Sequence, residues 1–308
     1  MKTTIIDYKN YGKCLQITNE IIELVATLDV GPRIVHFSFV GGRNILHSNR
    51  EIFTPLGGEE FDKFYFKGAV WENLGGHRLW ISPESLPETY YPDTKPIKYD
   101  ISGNTVKLYG NDQKENGVAT SIEITLEDNS SSATILNKAK NISDSNKEFA
   151  LWPITVLDVG GIEIIPQNTE DTGLLPNRFI SLWPYTNVKD SRLNVGNKYI
   201  TIQQDINCKA ALKIGTSNNS GLAYYVLDDV VFKKQYTHNP NGNYPDGGVS
   251  FETYTNDEII ECESLSELKI VKPQEEIEHK EVFSLYKKTD NFNINDENSI
   301  DEFLKNLQ

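Results

Sequence analysis

The sequence is poor in cysteine and has no long apolar run, and each shortage excludes a class of protein. Its three cysteines, Cys14, Cys208 and Cys262, are scattered and never form a Cys-x-x-Cys pair, which argues against a disulfide framework and a structural zinc site. A membrane span needs about 18 consecutive apolar residues, and none is present. The first eight residues lack the apolar stretch and cleavage site of a signal peptide, so a cytoplasmic location is expected.

Basic residues are also in short supply, with 30 Lys and Arg against 44 Asp and Glu and a formal net charge of −14. That charge repels phosphate backbones and anionic lipid surfaces, so neither nucleic acid nor a membrane is expected as a partner. Phosphate-loop, dinucleotide, zinc-protease and EF-hand spacings are all missing from the sequence. We therefore expect no cofactor and no metal, and the sequence leaves the oligomeric state open.

Short runs of Ile, Val, Thr, Tyr and Phe, separated by Gly, Asn, Asp and Pro, recur through most of the 308 residues. Such runs are strand signals. Many strands without crossover helices predict an all-β, antiparallel sheet-on-sheet fold, with a jelly roll and a two-domain sandwich as alternatives. A capping box from Ser299 to Glu302 predicts a short C-terminal helix. We expect one β domain over residues 1–287, and a polar linker with that helix over residues 288–308.

Residues 71–84 contain an unusual mixture of aromatic, glycine and charged residues. Two glycines allow positive φ or a close approach to a ligand, while tryptophan and arginine supply flat surfaces and forked donors, which suits a polar ring-shaped ligand. The alternative is a hairpin turn above buried tryptophans, with the arginine in an ion pair with Glu72 or Glu84. The candidate ligand-binding residues of this stretch are Trp71, Asn73, Arg78, Trp80 and Glu84, and His77 lies among them.

A second group of candidates lies further along the chain. Strand alternation over residues 249–254 places Glu252 and Tyr254 on one face, where the alternative is an exposed polar surface. A turn-rich loop that contains Asp246 directly precedes this strand, and loops carry function when a rigid scaffold positions them. Trp183 lies in another loop-like segment, and its indole is a candidate platform for the apolar face of a sugar.

Several separated motifs together resemble the galactose mutarotase-like, or aldose epimerase-like, superfamily, especially a bacterial branch of it. The matching stretches are GPRIV at 31–35, GGRNIL at 41–46, NLGGHRLWISPE at 73–84, ALWPITVL at 150–157 and GVSFETY at 248–254. The similarity runs from about residue 5 to residue 286. It implies a large antiparallel β supersandwich of the galactose mutarotase type, whose concave face binds a sugar.

The resemblance also implies a reaction. In the family, a glutamate takes the proton of the anomeric hydroxyl while a histidine protonates the ring oxygen, which is general acid and base catalysis. The matching motif at 248–254 implies that Glu252 is the base. Residues 149–157 resemble the strand that usually carries the acid, but they contain no histidine. His77 is our hypothesis for a substitute. We expect an aldose 1-epimerase-like isomerase acting on a small sugar or sugar derivative, and the alternative is a carbohydrate-binding protein without catalysis.

Overall fold

Two large antiparallel β-sheets pack face to face in the computed structural model, which describes residues 1–49, 51 and 54–307. The strands are numbered β1 to β23 along the chain. The first sheet has eleven strands, of which ten follow one another in a single spatial order and β22 pairs separately with β12. In that order they are β1 (Lys2–Asp7), β2 (Lys13–Thr18), β3 (Ile22–Thr27), β4 (Ile34–Phe39), β7 (His77–Ser82), β12 (Lys147–Leu157), β21 (Ile260–Ser264), β20 (Phe251–Thr255), β17 (Leu212–Thr216) and β14 (Ile180–Leu182), with β22 at Lys269–Val271.

The second sheet has ten strands and covers one face of the first. In spatial order they are β15 (Leu193–Val195), β16 (Tyr199–Gln203), β13 (Ile162–Pro166), β18 (Leu222–Leu227), β19 (Val230–Tyr236), β23 (Glu276–Lys287), β11 (Ser132–Asn141), β10 (Val118–Leu126), β9 (Thr105–Tyr109) and β8 (Lys98–Ser102). A separate two-stranded ribbon joins β5 (Leu56–Gly57) to β6 (Val70–Trp71), and the short helix α1 (Glu59–Phe64) lies between its strands.

The main core lies between the two sheets. Strand alternation sends Leu79, Leu151 and Phe251 of the first sheet inward, where they join Phe232 and Phe283 of the second sheet in one buried cluster. The residues between them on the same strands face the other way. The first sheet therefore has one face that is buried by the second sheet and an outer face that is free to form a site.

The C-terminal helix α2 (Glu297–Lys305) packs against the second sheet through Ile300 and Phe303. The capping prediction was wrong by three residues, because the carboxylate of Asp296 accepts the backbone N–H groups of Asn298 and Ser299 and so begins the helix earlier. The prediction of an all-β antiparallel sandwich with a short C-terminal helix is confirmed. Neither described helix combines the length and apolar character needed to cross a bilayer.

Candidate functional site

A cleft of about 320 Å³ opens on the outer face of the first sheet. Its floor comes from adjacent strands, because Trp80 on β7 faces Trp152 on β12, and Tyr254 on β20 pairs with both Glu261 on β21 and Lys213 on β17. Six of the residues predicted to bind or act on a ligand line it: Trp71, Asn73, Arg78, Trp80, Glu84 and Tyr254. The other lining residues are Tyr90, Trp152, Ile154, Tyr185, Lys213, Asn256, Ile259 and Glu261.

Aromatic rings form one wall of the cleft. The ring centroid of Trp80 lies 5.3 Å from that of Trp71, 4.7 Å from that of Tyr90 and 5.6 Å from that of Trp152. On the opposite side, the rings of Tyr185 and Tyr254 are 6.5 Å apart. Flat aromatic walls suit a ligand with apolar C–H faces, and a sugar ring has such faces.

Arg78 is the main hydrogen-bond donor of the floor. Its guanidinium carbon lies 4.4 Å from the centroid of Trp80, and its Nη2 donates to Glu261 Oε1 at 3.2 Å. Within the described part of the chain, Nε and Nη1 of Arg78 and Nε1 of Trp71 are buried without a hydrogen-bond partner. A buried donor without a partner costs about 1–3 kcal/mol. A ligand with several oxygen acceptors would remove this cost.

The rim of the cleft is polar. The exposed carboxylate of Glu84 accepts the hydroxyl proton of Tyr90, which holds the tyrosine ring edge at the entrance. Asn73 Oδ1 accepts the backbone N–H of Gly75 at 3.1 Å, so its amide nitrogen is the part left to meet a ligand. Both residues therefore present polar atoms at the rim of the cleft.

Lys213 joins the cleft to the predicted base. Its Nζ lies 2.8 Å from Glu252 Oε2 and 3.3 Å from Glu263 Oε2. The same ammonium lies 4.6 Å from the ring centroid of Trp152 and 4.6 Å from that of Trp183. One cation is thus held by two carboxylates and two indole rings, which supply Coulombic and cation–π attraction.

The carboxylates of this group are buried, and Glu252 and Glu263 are both 0% exposed. Burial raises the pKa of Glu252 well above its usual value, against the opposing attraction of Lys213. Burial also raises the pKa of Glu263 to about 7, although Trp152 Nε1 donates to Glu263 Oε2 at 2.7 Å. For Lys213, burial lowers the pKa but the two carboxylates raise it by more, so the side chain stays an ammonium ion.

The structure places His77 away from the cleft, contrary to our hypothesis that it folds over the pocket. His77 begins β7 and its side chain points between the sheets, where it is 0% exposed. Its Nδ1 lies 3.0 Å from Thr155 Oγ1, and its Nε2 lies 3.1 Å from Asn137 Oδ1 and 3.6 Å from Glu281 Oε2. Because successive strand residues face opposite sides, Arg78 reaches the cleft and His77 cannot.

Trp183 and Asp246 lie beside the cleft without lining it. Trp183 contacts the ammonium of Lys213 from the loop that follows β14. Asp246 lies at an exposed turn, where Ser82 Oγ is 3.5 Å from its Oδ2 and Ser181 Oγ donates to its backbone carbonyl at 2.5 Å.

The paired glycines have a structural reason for their conformation. Gly75 and Gly76 have φ of 66° and 64°, a region that favours glycine. A Cβ on Gly76 would lie 2.2 Å from the carbonyl oxygen of Ile34, and one on Gly75 would lie 2.6 Å from that of His47. The two glycines therefore allow a close approach to the protein's own backbone, where we had expected a close approach to a ligand.

Sequence reasoning missed Lys213, Tyr90 and Tyr185. Lys213 carried a signal, since a lone lysine sits among the apolar residues of a predicted strand and a buried charge needs a partner. Tyr90 and Tyr185 come from irregular segments whose position depends on long-range packing, so no local pattern indicates them. Among the described residues, no cluster of three or more His, Cys, Asp or Glu side chains is placed to hold a metal.

Comparisons with known proteins agree with this architecture. No protein-family model and no curated protein matches the sequence. Among solved structures, a galactose mutarotase-like protein from Lactobacillus casei has a TM-score of 0.55 and 8% identity, covering 89% of this chain and 100% of its own. A galactose mutarotase related enzyme from Lactobacillus acidophilus has a TM-score of 0.51 and 12% identity, covering 91% of this chain and 100% of its own. The chain therefore has the galactose mutarotase-like fold that the sequence motifs predicted.

Proposed function

We propose that this protein binds a sugar in the cleft and acts on it at the anomeric centre, as an isomerase of the aldose 1-epimerase type. The observation that carries the proposal is the combination of aromatic walls with three buried donors that lack partners, on Arg78 and Trp71. A sugar ring offers C–H faces to such walls and oxygen acceptors to such donors. The galactose mutarotase-like fold supports a carbohydrate-related function.

Glu252 is the proposed general base. It shares the outer face of the first sheet with Tyr254, which lines the cleft, and its carboxylate oxygen Oε1 is buried without a hydrogen-bond partner in the described structure. A pKa raised by burial makes a carboxylate a stronger base, which suits removal of a hydroxyl proton near neutral pH. Loss of that proton would open the sugar ring and allow it to close with the other configuration.

A sugar-binding protein without catalysis is the second candidate function. It is favoured by the complete burial of Glu252 behind Lys213, because a base must come within hydrogen-bond reach of the proton it removes. In that case the cleft would bind the sugar and Lys213 would neutralise two structural carboxylates. The two functions differ in whether the protein accelerates exchange between the anomers of the sugar it binds.

The substitution Glu252→Gln separates these functions. Reducing sugars, sugar phosphates and uronic acids are first screened by thermal shift, and exchange between anomers of each binding sugar is then followed by NMR. The isomerase proposal predicts faster exchange with the wild-type protein and exchange at the buffer rate with Glu252→Gln, with affinity retained. Saturable binding with no acceleration by the wild-type protein would support the binding function instead.

A further inference from the structure

We propose that Lys213 is the general acid, in place of the histidine that the sequence lacks, and that it works with Glu252 as a coupled proton donor and acceptor. This inference rests on the proposed function. It starts from two placements: Lys213 lines the cleft, and its Nζ lies 2.8 Å from the carboxylate of Glu252.

The geometry fits the chemistry of a hemiacetal. The hydroxyl oxygen and the ring oxygen at the anomeric centre are bonded to the same carbon, so the groups that exchange protons with them must also be close neighbours. Lys213 and Glu252 meet this requirement because they sit on adjacent strands, with Gly215 opposite Glu252 and Tyr254 opposite Lys213. The anomeric centre would meet this pair from the cleft side, where Lys213 lies, and would have to part the lysine from the buried Glu252 to reach both groups.

The proton balance of the step closes without any other reactant. Glu252 takes the proton of the anomeric hydroxyl, the C–O bond to the ring oxygen breaks, and its electron pair goes to that oxygen. The ring oxygen receives a proton from Lys213, which leaves a neutral amine, a neutral carboxyl group and the open aldehyde. Rotation about the bond between the first two carbons and reversal of both proton transfers give the other anomer and restore the ion pair.

Burial favours this exchange. In a site with little water, an ion pair is costly compared with the neutral pair formed by moving one proton. When Glu252 is protonated, Lys213 loses the attraction of one of its two carboxylate partners, so its proton is released more easily at the moment when the ring oxygen needs it. Glu263 stays in place, held by Trp152, and positions the lysine between the two indole rings.

The other polar groups of the cleft are poorer acids for this step. Arg78 does not lose a proton in proteins and is held by Glu261. Tyr90 already donates its hydroxyl proton to Glu84 rather than to the base. No histidine lines the cleft among the described residues. Lys213 is the cleft group that combines a transferable proton with contact to the base.

The test is the substitution Lys213→Arg. Arginine keeps the positive charge, the pairing with both carboxylates and the contact with the indole rings, but it does not give up its proton. We expect Lys213→Arg to fold and to bind the sugar within about threefold of wild type, and to lose at least about 100-fold in the rate of anomer exchange, within the range of a missing general acid. Lys233→Arg is the matched control, since Lys233 lies on the second sheet beside Tyr286.

Three outcomes would overturn the inference in distinguishable ways. If wild type and Lys213→Arg accelerate exchange equally, Lys213 is not the acid although the proposed function stands. If the wild-type protein accelerates exchange of no sugar, the proposed function fails and the inference fails with it. If Lys213→Arg fails to fold, Glu263→Gln is tested in its place. Because Lys213 loses one of its two carboxylate partners in this variant, we expect the exchange rate to fall off at a lower pH on the alkaline side than in the wild-type protein. An unchanged alkaline pH dependence would contradict the role of Lys213 as the acid.

Discussion

At the scale of single residues, Lys213 links the cleft to the buried carboxylates, because its Nζ lies 2.8 Å from Glu252 Oε2 and 3.3 Å from Glu263 Oε2. Alternation along one strand was enough to place Glu252 and Tyr254 on the same face, and the unusual mixture at residues 71–84 pointed to Arg78 and Trp80. Lys213 was missed because its partners, Glu252 and Glu263, are 39 and 50 residues away and nothing local joins the three. Partnerships across strands become visible only when the register is known.

Replacing Arg78 by lysine should weaken sugar binding without removing the positive charge beside Glu261. Lysine lacks the forked donors whose Nε and Nη1 have no partner in the described structure. The loss of two hydrogen bonds at about 0.5–1.5 kcal/mol each, about 1–3 kcal/mol together, corresponds to binding weaker by roughly 5- to 150-fold. Isothermal titration calorimetry with the best-binding sugar measures this loss of affinity. The control is Arg43→Lys, which changes an arginine paired with Asp158 outside the cleft.

Equal sugar affinity in Arg78→Lys and in the wild-type protein would contradict this account of the floor. It would mean that the donors of Arg78 face no acceptor of the bound sugar.

At the scale of elements, the register of β7 decides which of its side chains can act. A shift of one residue in a strand turns every side chain to the other face. Two interpretations were open for Gly75 and Gly76, a turn or a ligand contact, and neither determined where the following strand begins. The strand begins at His77, which sends that histidine into the core and Arg78 into the cleft. Proximity in sequence was therefore misleading for His77.

The C-terminal helix stabilises the second sheet and takes no part in the cleft. Phe303 is 2% exposed and packs in the cluster that also contains Ile164, Val226 and Val231. Truncating it with Phe303→Ala should lower the free energy of unfolding by about 3–5 kcal/mol, as for other buried phenylalanines. Urea unfolding measures the change, and sugar affinity at 20 °C should stay as in the wild-type protein. An altered affinity would show that the helix contributes to the site.

At the scale of the whole molecule, polar groups are buried on both faces of the first sheet. Between the sheets, Lys234 lies 2.8 Å from Glu281 Oε1, and Glu281 lies close to both His77 and His279. The Lys234 ammonium lowers the pKa of Glu281 to about 2 in spite of burial. The apolar pattern predicted two packed sheets, but it gives no sign of charges in the core between them, because charged residues are seldom fully buried.

Glu163 makes stability depend on pH in a predictable direction. It is 0% exposed, and burial raises its pKa to about 8 from the model-compound value of 4.5. Its pKa in the folded chain lies above the value in the unfolded chain. The stability that Glu163 contributes to the fold is therefore fully present below pH 4.5 and is lost as the pH rises through 8. Glutamine removes the titration, so Glu163→Gln should gain stability relative to wild type by up to about 1.4 kcal/mol per pH unit across this range.

Urea unfolding of both proteins at several pH values between 5 and 8 measures this difference. A constant difference between Glu163→Gln and wild type across the range would mean that Glu163 does not titrate abnormally in the folded chain.

The rate of exchange between sugar anomers in the presence of the protein tests the central claim most directly. The sugar that raises the thermal midpoint most is studied by exchange NMR at increasing concentrations of the wild-type protein. Our account predicts a rate that rises in proportion to the protein concentration and returns to the buffer value with Glu252→Gln. A rate that stays at the buffer value while the sugar binds saturably would contradict a catalytic role for the cleft.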